Sequence, residues 1–201
     1  MKDASNRIPA GRLQRGALNQ ETYIYRFRQV LLRHGITMAS IAIICLLLPS
    51  IQAAFTSSLD NLFRNPMKYF LWSLVVTTFI FTFLKYTKKE INLRQLIWIG
   101  YLFMISVVEE IGFRLSLPLL MTSGITGISP FWIGVFLSNL FFASIHYFTL
   151  RWKLSACIFT FLGGMGFSRL LDTTGDLTAV ILLHWAITFL NTPKAPKGTS
   201  K

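Results

Sequence analysis

Charged side chains are scarce in this chain, and over one long stretch they are missing altogether. Asp, Glu, Lys and Arg make up only 14% of the 201 residues, whereas an average soluble domain contains roughly 25%. None of the four occurs in residues 115–150. Because a soluble fold needs charge across its whole surface, this composition excludes a soluble globular protein.

Cysteines and acidic residues are also few. The two cysteines, Cys45 and Cys157, lie inside apolar runs and offer neither a disulfide framework nor the spacing of a zinc finger. Eight acidic against 20 basic side chains leave a net charge of +12. In a soluble protein that charge would indicate a nucleic-acid partner. Since the chain is not soluble, we expect no nucleic-acid partner.

Apolar residues are abundant and make up 53% of the chain. A helix of about 20 apolar residues crosses the roughly 30 Å hydrocarbon core of a bilayer. We therefore predict an all-α fold, a polytopic membrane helical bundle of about six transmembrane helices. The apolar segments cover residues 36–55, 69–84, 96–121, 131–150, 154–171 and 177–192. Three glycines of the fifth segment, Gly163, Gly164 and Gly166, are expected to allow close helix approach.

Basic residues are distributed unequally between the loops. Seven Lys/Arg precede the first segment, four lie between the second and third, two lie between the fourth and fifth, and three follow the sixth. Because basic loops stay in the cytoplasm, we predict an even number of spans with both termini cytoplasmic. The expected location is a bacterial-type plasma membrane, as an integral membrane protein.

The same pattern divides the chain into four parts. Residues 1–34 are predicted to be a basic cytoplasmic tail, in which 23–33 form either an amphipathic helix on the membrane surface or a disordered segment. Residues 35–94 are expected to form two accessory transmembrane helices, and 95–192 a four-helix core. Residues 193–201 would be a second cytoplasmic tail.

Ionisable residues interrupt the apolar pattern in three of the core segments. Placing a charge at the bilayer centre costs about 2.5–3.5 kcal/mol or more, so such residues tend to be paired and functional. Glu110 and Arg114 are four residues apart on one helix face and are expected to pair. Glu109 points about 100° away from that face and is available as a general base in a polar cavity. The alternative is a buried cluster in which both glutamates share Arg114.

Two histidines lie in the other interrupted segments, His146 in the fourth and His184 in the sixth. Helical spacing places polar or aromatic residues on the same helix face as each histidine. These residues are Ser138, Asn139 and Phe142 for His146, and Thr188 and Asn191 for His184. Each helix is therefore predicted to turn a polar stripe to the bundle interior. A catalytic or ligand-binding site explains this pattern better than packing alone.

The depth of these residues constrains the third segment. His146 lies close to the cytoplasmic end of its segment, whereas Glu109 lies far along a helix that starts at residue 95. The two residues converge only if the third helix begins nearer Tyr101, tilts, or is kinked around Gly112. We expect the first, with part of 91–100 at the cytoplasmic interface.

The pattern Glu109-Glu110-x-x-x-Arg114, then Phe142-x-x-x-His146, then His184 with a polar residue four positions later resembles the CPBP family. This family comprises Rce1-like CAAX prenyl endopeptidases and Abi-type bacteriocin-processing or self-immunity proteins. The resemblance covers about residues 95–192, which would be the catalytic core. Residues 1–94 resemble nothing that we can name.

The resemblance implies hydrolysis of a peptide bond within or at the edge of the bilayer. Glu109 would activate a water molecule, His146 would share its proton, and His184 with Thr188 would donate hydrogen bonds to the oxyanion. The family usually has Asn or Asp where this chain has Thr188, which weakens the expected oxyanion site. The supporting residues would be Glu110, Arg114, Phe142, Asn139 and Asn191.

The residues allow two mechanisms, one without a metal ion and one with zinc. The chain has no His-Glu-x-x-His motif, and we favour a mechanism without a cofactor. Zinc held by Glu109, His146 and His184 is the alternative.

The predicted function is an intramembrane endopeptidase that acts on a membrane-associated peptide or protein, either prenylated or bacteriocin-like. Its other partner is the lipid bilayer. Two alternatives remain: a non-catalytic immunity or scaffold member of the same family, and a proton-coupled transporter. The absence of a half-repeat in the sequence argues against the transporter.

Overall fold

The computed structural model describes residues 11–16, 24, 26–123 and 130–196. Every regular element in those ranges is a helix, which confirms the predicted all-α class. The remaining residues lie outside the described ranges, including much of both predicted tails and the loop at 124–129. The helices are α1 (Phe27–Leu46), α2 (Pro49–Ser58), α3 (Asp60–Arg64), α4 (Pro66–Tyr86), α5 (Leu93–Thr122), α6 (Pro130–Thr149), α7 (Leu154–Thr174) and α8 (Leu177–Asn191).

Five of the described helices, α1, α4, α5, α6 and α7, are long and apolar enough to cross a membrane. Helix α8 is apolar but shorter, with 15 residues. Large apolar side chains are exposed on the outer faces, among them Val75 (65%) and Phe159 (76%), as expected for helix surfaces in contact with lipid. The chain is an integral membrane protein built as a helical bundle.

The first predicted segment, 36–55, is two helices in the structure. Helix α1 begins at Phe27 and ends at Leu46, and α2 begins at Pro49. Proline restricts the residue before it to extended conformations, and Leu48 is extended, with φ −87° and ψ 127°. The boundary predicted at 34/35 lies inside α1.

Helix α5 is continuous from Leu93 to Thr122, so the expected start near Tyr101 was wrong. The Asn92 side chain caps the helix by accepting a hydrogen bond from the backbone N–H of Gln95 at 3.0 Å. The buried Gln95 amide then donates to the carbonyl of Pro193 at 3.0 Å and accepts from the N–H of Ala195 at 3.1 Å. These bonds tie the first turn of α5 to the chain that follows α8.

Among the described residues, two short π-helical segments lie within the long helices. One covers Leu31–Gly35 in α1, and the other covers Glu110–Ser116 in the middle of α5. The segment in α5 contacts α1, α2, α6, α7 and α8, so it lies at the centre of the bundle. Because π-helical turns often occur at functional sites, the side chains around these two segments are candidates for such a site.

Only one of the three glycines predicted to allow close helix approach lies at such a contact. A Cβ atom on Gly164 would lie 2.0 Å from Oδ1 of Asn139 and 2.9 Å from Nη2 of Arg114. At Gly163 and Gly166 a Cβ atom would meet nothing within 4 Å. Gly164 therefore lets α7 approach the polar interior of the bundle, whereas the other two do not have this function.

Candidate active site

Glu109 is buried in the bundle, and all three histidines of the chain surround its carboxylate. The Nε2 atoms of His34 and His146 lie 2.9 Å and 3.7 Å from its Oε1 atom. The Nε2 atom of His184 lies 3.5 Å from its Oε2 atom. The structure thus brings together Glu109, His146 and His184, which the sequence had nominated, and adds His34.

Hydrogen bonds at the opposite ring nitrogen orient two of the histidines. The Nδ1 atom of His146 lies 2.9 Å from the carbonyl oxygen of Phe142, one turn earlier in α6. The Nδ1 atom of His34 lies 3.0 Å from Oγ1 of Thr149. Since each ring is fixed at Nδ1, its Nε2 atom is held toward Glu109.

The neighbouring glutamate has different partners. The Oε1 atom of Glu110 lies 2.6 Å from Nδ1 of His184 and 3.4 Å from Nε of Arg114. Among the described residues, Arg114 makes no ion pair with Glu109. Arg114 therefore pairs with Glu110, as the four-residue spacing predicts, whereas the two carboxylates face opposite nitrogens of the His184 ring. Glu110 thus links the buried arginine to the third histidine.

Phe142 lies between the arginine and a histidine. The guanidinium carbon of Arg114 is 4.0 Å from the centre of the Phe142 ring, a cation–π contact in which the ring carries part of the buried charge. The centre of the same ring is 4.5 Å from that of His146. Phe142 thus lies between the Glu110–Arg114 pair and His146, and its ring packs against both Arg114 and His146.

Among the described residues, Asn139, Thr188 and Asn191, which the sequence analysis also proposed for the site, form no hydrogen bond with the Glu109 carboxylate. Asn139 is buried and donates hydrogen bonds to the carbonyl of Val135 and to Oγ of Ser168, which joins α6 to α7. Thr188 is half-buried and Asn191 is exposed near the end of α8. Within the described part of the chain, no hydrogen bond joins the Thr188 hydroxyl to another residue.

His34 is the residue that sequence reasoning missed. It lies in the segment assigned to a cytoplasmic tail, yet the structure buries it inside α1. The centre of its ring is 4.6 Å from that of His146. A histidine directly preceding an apolar run, in a chain with only three histidines, was the available signal.

Part of the predicted tail lies against the same end of α6. The N–H of Arg15 donates to the carbonyl of Arg151 at 2.8 Å, and the N–H of Lys153 donates to the carbonyl of Leu13 at 2.7 Å. The Arg15 guanidinium lies over the Tyr147 ring, 3.8 Å from its centre. Residues 11–16 therefore pack beside the turn that follows α6, close to His146.

Comparison with known proteins identifies the family of this core. The family model described as type II CAAX prenyl endopeptidase Rce1-like matches residues 91–190, which include α5, α6, α7 and nearly all of α8. No curated protein and no solved structure matches the chain. The matched region holds Glu109, Glu110, Arg114 and two of the three histidines, but not His34. The chain belongs to the type II CAAX prenyl endopeptidase Rce1-like family.

Proposed function

We propose that the protein is an intramembrane endopeptidase that hydrolyses a peptide bond in a membrane-associated or lipidated peptide. One observation carries this proposal: a buried carboxylate, Glu109, has imidazoles on both of its oxygens. The family is one of endopeptidases, which supports the same reaction class. A carboxylate with adjacent proton carriers is suited to activate water by general base catalysis.

In the proposed reaction, Glu109 accepts a proton from a water molecule as the water oxygen attacks the scissile carbonyl carbon. The Nδ1 atom of a neutral His146 donates to the carbonyl of Phe142, so its Nε2 atom carries a free lone pair toward Glu109. That lone pair takes the proton from Glu109 and passes it to the departing amine. The peptide C–N bond breaks, and a carboxylic acid and an amine leave.

His184 is proposed to stabilise the oxyanion of the tetrahedral intermediate. Its Nδ1 atom faces the Glu110 carboxylate at 2.6 Å, so Nε2 donates a hydrogen bond only when the ring is protonated. Glu110 stabilises that charged ring, and Arg114 in turn balances the charge of Glu110. Hydrogen-bond donors placed where charge develops are often the largest contribution to catalysis.

We propose that this reaction needs no metal ion. The base, the proton carrier and the oxyanion donor described above are all side chains of the chain itself. Zinc bound by Glu109, His146 and His184 would make the ion the source of the activated water. The two mechanisms differ in the activity expected after metals are removed from the protein. Cleavage persists in the mechanism without a metal and is lost in the zinc mechanism.

The substrate is proposed to approach from the cytoplasmic side as a peptide with a prenylated C-terminus, or as another peptide held at the membrane. Basic residues lie at one end of α6. The segment 11–16 packs there, and the Arg33 guanidinium donates to the carbonyls of Phe148 and Thr149, each at 3.1 Å. The positive-inside rule assigns such an end to the cytoplasm. His146 lies in the last turn of that helix.

A non-catalytic scaffold is the second candidate, and one observation favours it. The Thr188 hydroxyl lies at the position expected to assist the oxyanion, but among the described residues it forms no hydrogen bond with the site. Purified protein in vesicles, mixed with a farnesylated CAAX peptide and with the same peptide without its lipid, distinguishes the two. We expect a new peptide C-terminus by mass spectrometry. Folded protein that cleaves neither probe would support the scaffold.

A further inference from the structure

We propose that His34, Glu109 and His146 form a binding site for a divalent transition-metal ion, of which Zn²⁺ is the best fit. One ligand atom from each residue lies within 4.8 Å of the other two, and all three side chains are buried. The set joins α1 to the catalytic core, because His34 lies outside the region that matches the family model.

Two of the three distances between ligand atoms are close to those around a bound zinc ion. Zinc bonds to histidine nitrogen and carboxylate oxygen at about 2.0–2.1 Å, so tetrahedral ligand atoms lie about 3.3 Å apart. The Glu109 Oε1 atom lies 2.9 Å from Nε2 of His34 and 3.7 Å from Nε2 of His146. The two observed separations lie on either side of that value.

The hydrogen bond of His146 gives an independent reason to place a cation there. The Phe142 carbonyl is only an acceptor, so Nδ1 of His146 must carry the proton of a neutral ring. Its Nε2 atom then presents a lone pair to the carboxylate oxygen of Glu109 at 3.7 Å. Two buried acceptors that face each other need a positive charge between them.

His34 repeats this arrangement. The Thr149 hydroxyl donates to the carbonyl of Ile145 at 2.7 Å, so it accepts a hydrogen bond from Nδ1 of His34 at 3.0 Å. In a neutral ring the Nε2 atom of His34 therefore also presents a lone pair to Glu109. A proton on one ring relieves one of these contacts, whereas a single metal ion relieves both.

The outer contacts are typical of metal ligands. Histidines that bind metals almost always donate their other ring N–H to a carbonyl, a carboxylate or a similar acceptor. His146 uses a backbone carbonyl and His34 a hydroxyl. A set of two imidazoles and one carboxylate, without thiolate, suits zinc better than calcium or magnesium, which prefer oxygen ligands alone.

Zinc at this site would inhibit the peptidase, and this consequence rests on the proposed function. An ion bound to Oε1 of Glu109 occupies the lone pair that otherwise accepts the proton of water. It also occupies Nε2 of His146, which carries that proton onward. The Glu109 carboxylate therefore either binds the metal ion or acts as the general base.

The test begins with binding by the full-length protein, freed of metal and reconstituted in nanodiscs. After equilibration with buffered free Zn²⁺, we expect one ion per chain by elemental analysis and a higher midpoint of thermal unfolding. His34→Gln and His146→Gln should each lower the affinity at least about tenfold. His184→Gln, and Cys45→Ser combined with Cys157→Ser, should retain it. Absence of zinc, or binding that ignores both His34→Gln and His146→Gln, overturns the proposal.

Two further measurements use the wild-type protein, so they do not depend on the folding of a variant. Wild-type protein loaded with Co²⁺ should show the visible absorption of nitrogen and oxygen ligands, and a thiolate charge-transfer band would contradict the site. Peptide cleavage by metal-free protein should fall as Zn²⁺ fills the site. If zinc binds but is needed for cleavage, the site stands and the metal-free mechanism fails. If metal-free protein cleaves but binds no zinc, only the metal site fails.

Discussion

The Nε2 atom of His34 lies 2.9 Å from Oε1 of Glu109, although the residues are 75 positions apart in the chain. The contact joins α1 to α5 in the bundle interior, where both side chains are buried. Because only α5 lies in the region that matches the family model, the candidate site extends beyond the family's core. Helix α1 therefore contributes a residue to the candidate site.

We predict that His34→Phe lowers peptide cleavage about tenfold or more, because Glu109 loses the polar ring atom that lies 2.9 Å from its carboxylate. Small misplacements of a catalytic group can reduce rates by about this much. Leu32→Ala, at an exposed position two residues earlier, is the control and should be nearly as active as wild type. Equal activity of the two variants in the vesicle assay would show that α1 does not orient Glu109.

We predict that Glu110→Gln destabilises the protein, because it leaves Arg114 buried without its countercharge. Breaking a buried ion pair from one side typically costs about 3–5 kcal/mol. Adding Arg114→Met to Glu110→Gln removes the unpaired charge and should recover expression relative to the single variant. The amount of monodisperse protein in detergent checks both. A double variant that expresses no better than Glu110→Gln would mean that the pair is not the source of the defect.

Two glycines on α7 provide a matched test of packing. A Cβ atom at Gly164 would lie 2.0 Å from Oδ1 of Asn139, so Gly164→Ala must displace that side chain. We expect it to destabilise the protein by about 1–3 kcal/mol, the usual cost of overpacking. Gly163→Ala meets no atom within 4 Å and should leave the midpoint of thermal unfolding unchanged or higher. The opposite order of the two midpoints would contradict the packing of α7 on α6.

The distribution of basic residues makes a prediction about topology. Reporters placed after Arg15 and after Lys201 should both lie in the cytoplasm, and one between residues 122 and 129 should lie outside. Pairs of reporters active on opposite sides of the membrane check each position. A cytoplasmic result at 122–129 would rule out the arrangement of six spans.

The separation of the two glutamates was predictable from the sequence because it depends only on helical geometry. Residues one apart differ in direction by about 100°, whereas Glu110 and Arg114 share a face. The convergence of His146 and His184 on Glu109 followed from their polar stripes. The first relationship depends only on neighbouring residues of one helix. The second depends on ionisable side chains that face the bundle interior because their burial in lipid is costly.

The burial of His34 was not predictable in the same way. Arg26, Arg28 and Arg33 precede it and give the segment the composition of a tail, yet α1 begins at Phe27 and continues through Arg28 and Arg33. The groups that hold His34, Thr149 and Glu109, lie 115 and 75 residues away. The start of α5 was misplaced for the same reason, since Gln95 finds its partners 98 and 100 residues later.

The most direct test of Glu109 as the catalytic base is cleavage of the farnesylated peptide by Glu109→Gln. This variant retains the shape of the side chain and loses only the proton acceptor. We predict normal folding and a loss of cleavage by a factor of about 10² or more. Glu90→Gln, the same change at an exposed carboxylate, should cleave at the wild-type rate. Folded Glu109→Gln protein that cleaves as fast as Glu90→Gln would contradict the role of Glu109 as the base.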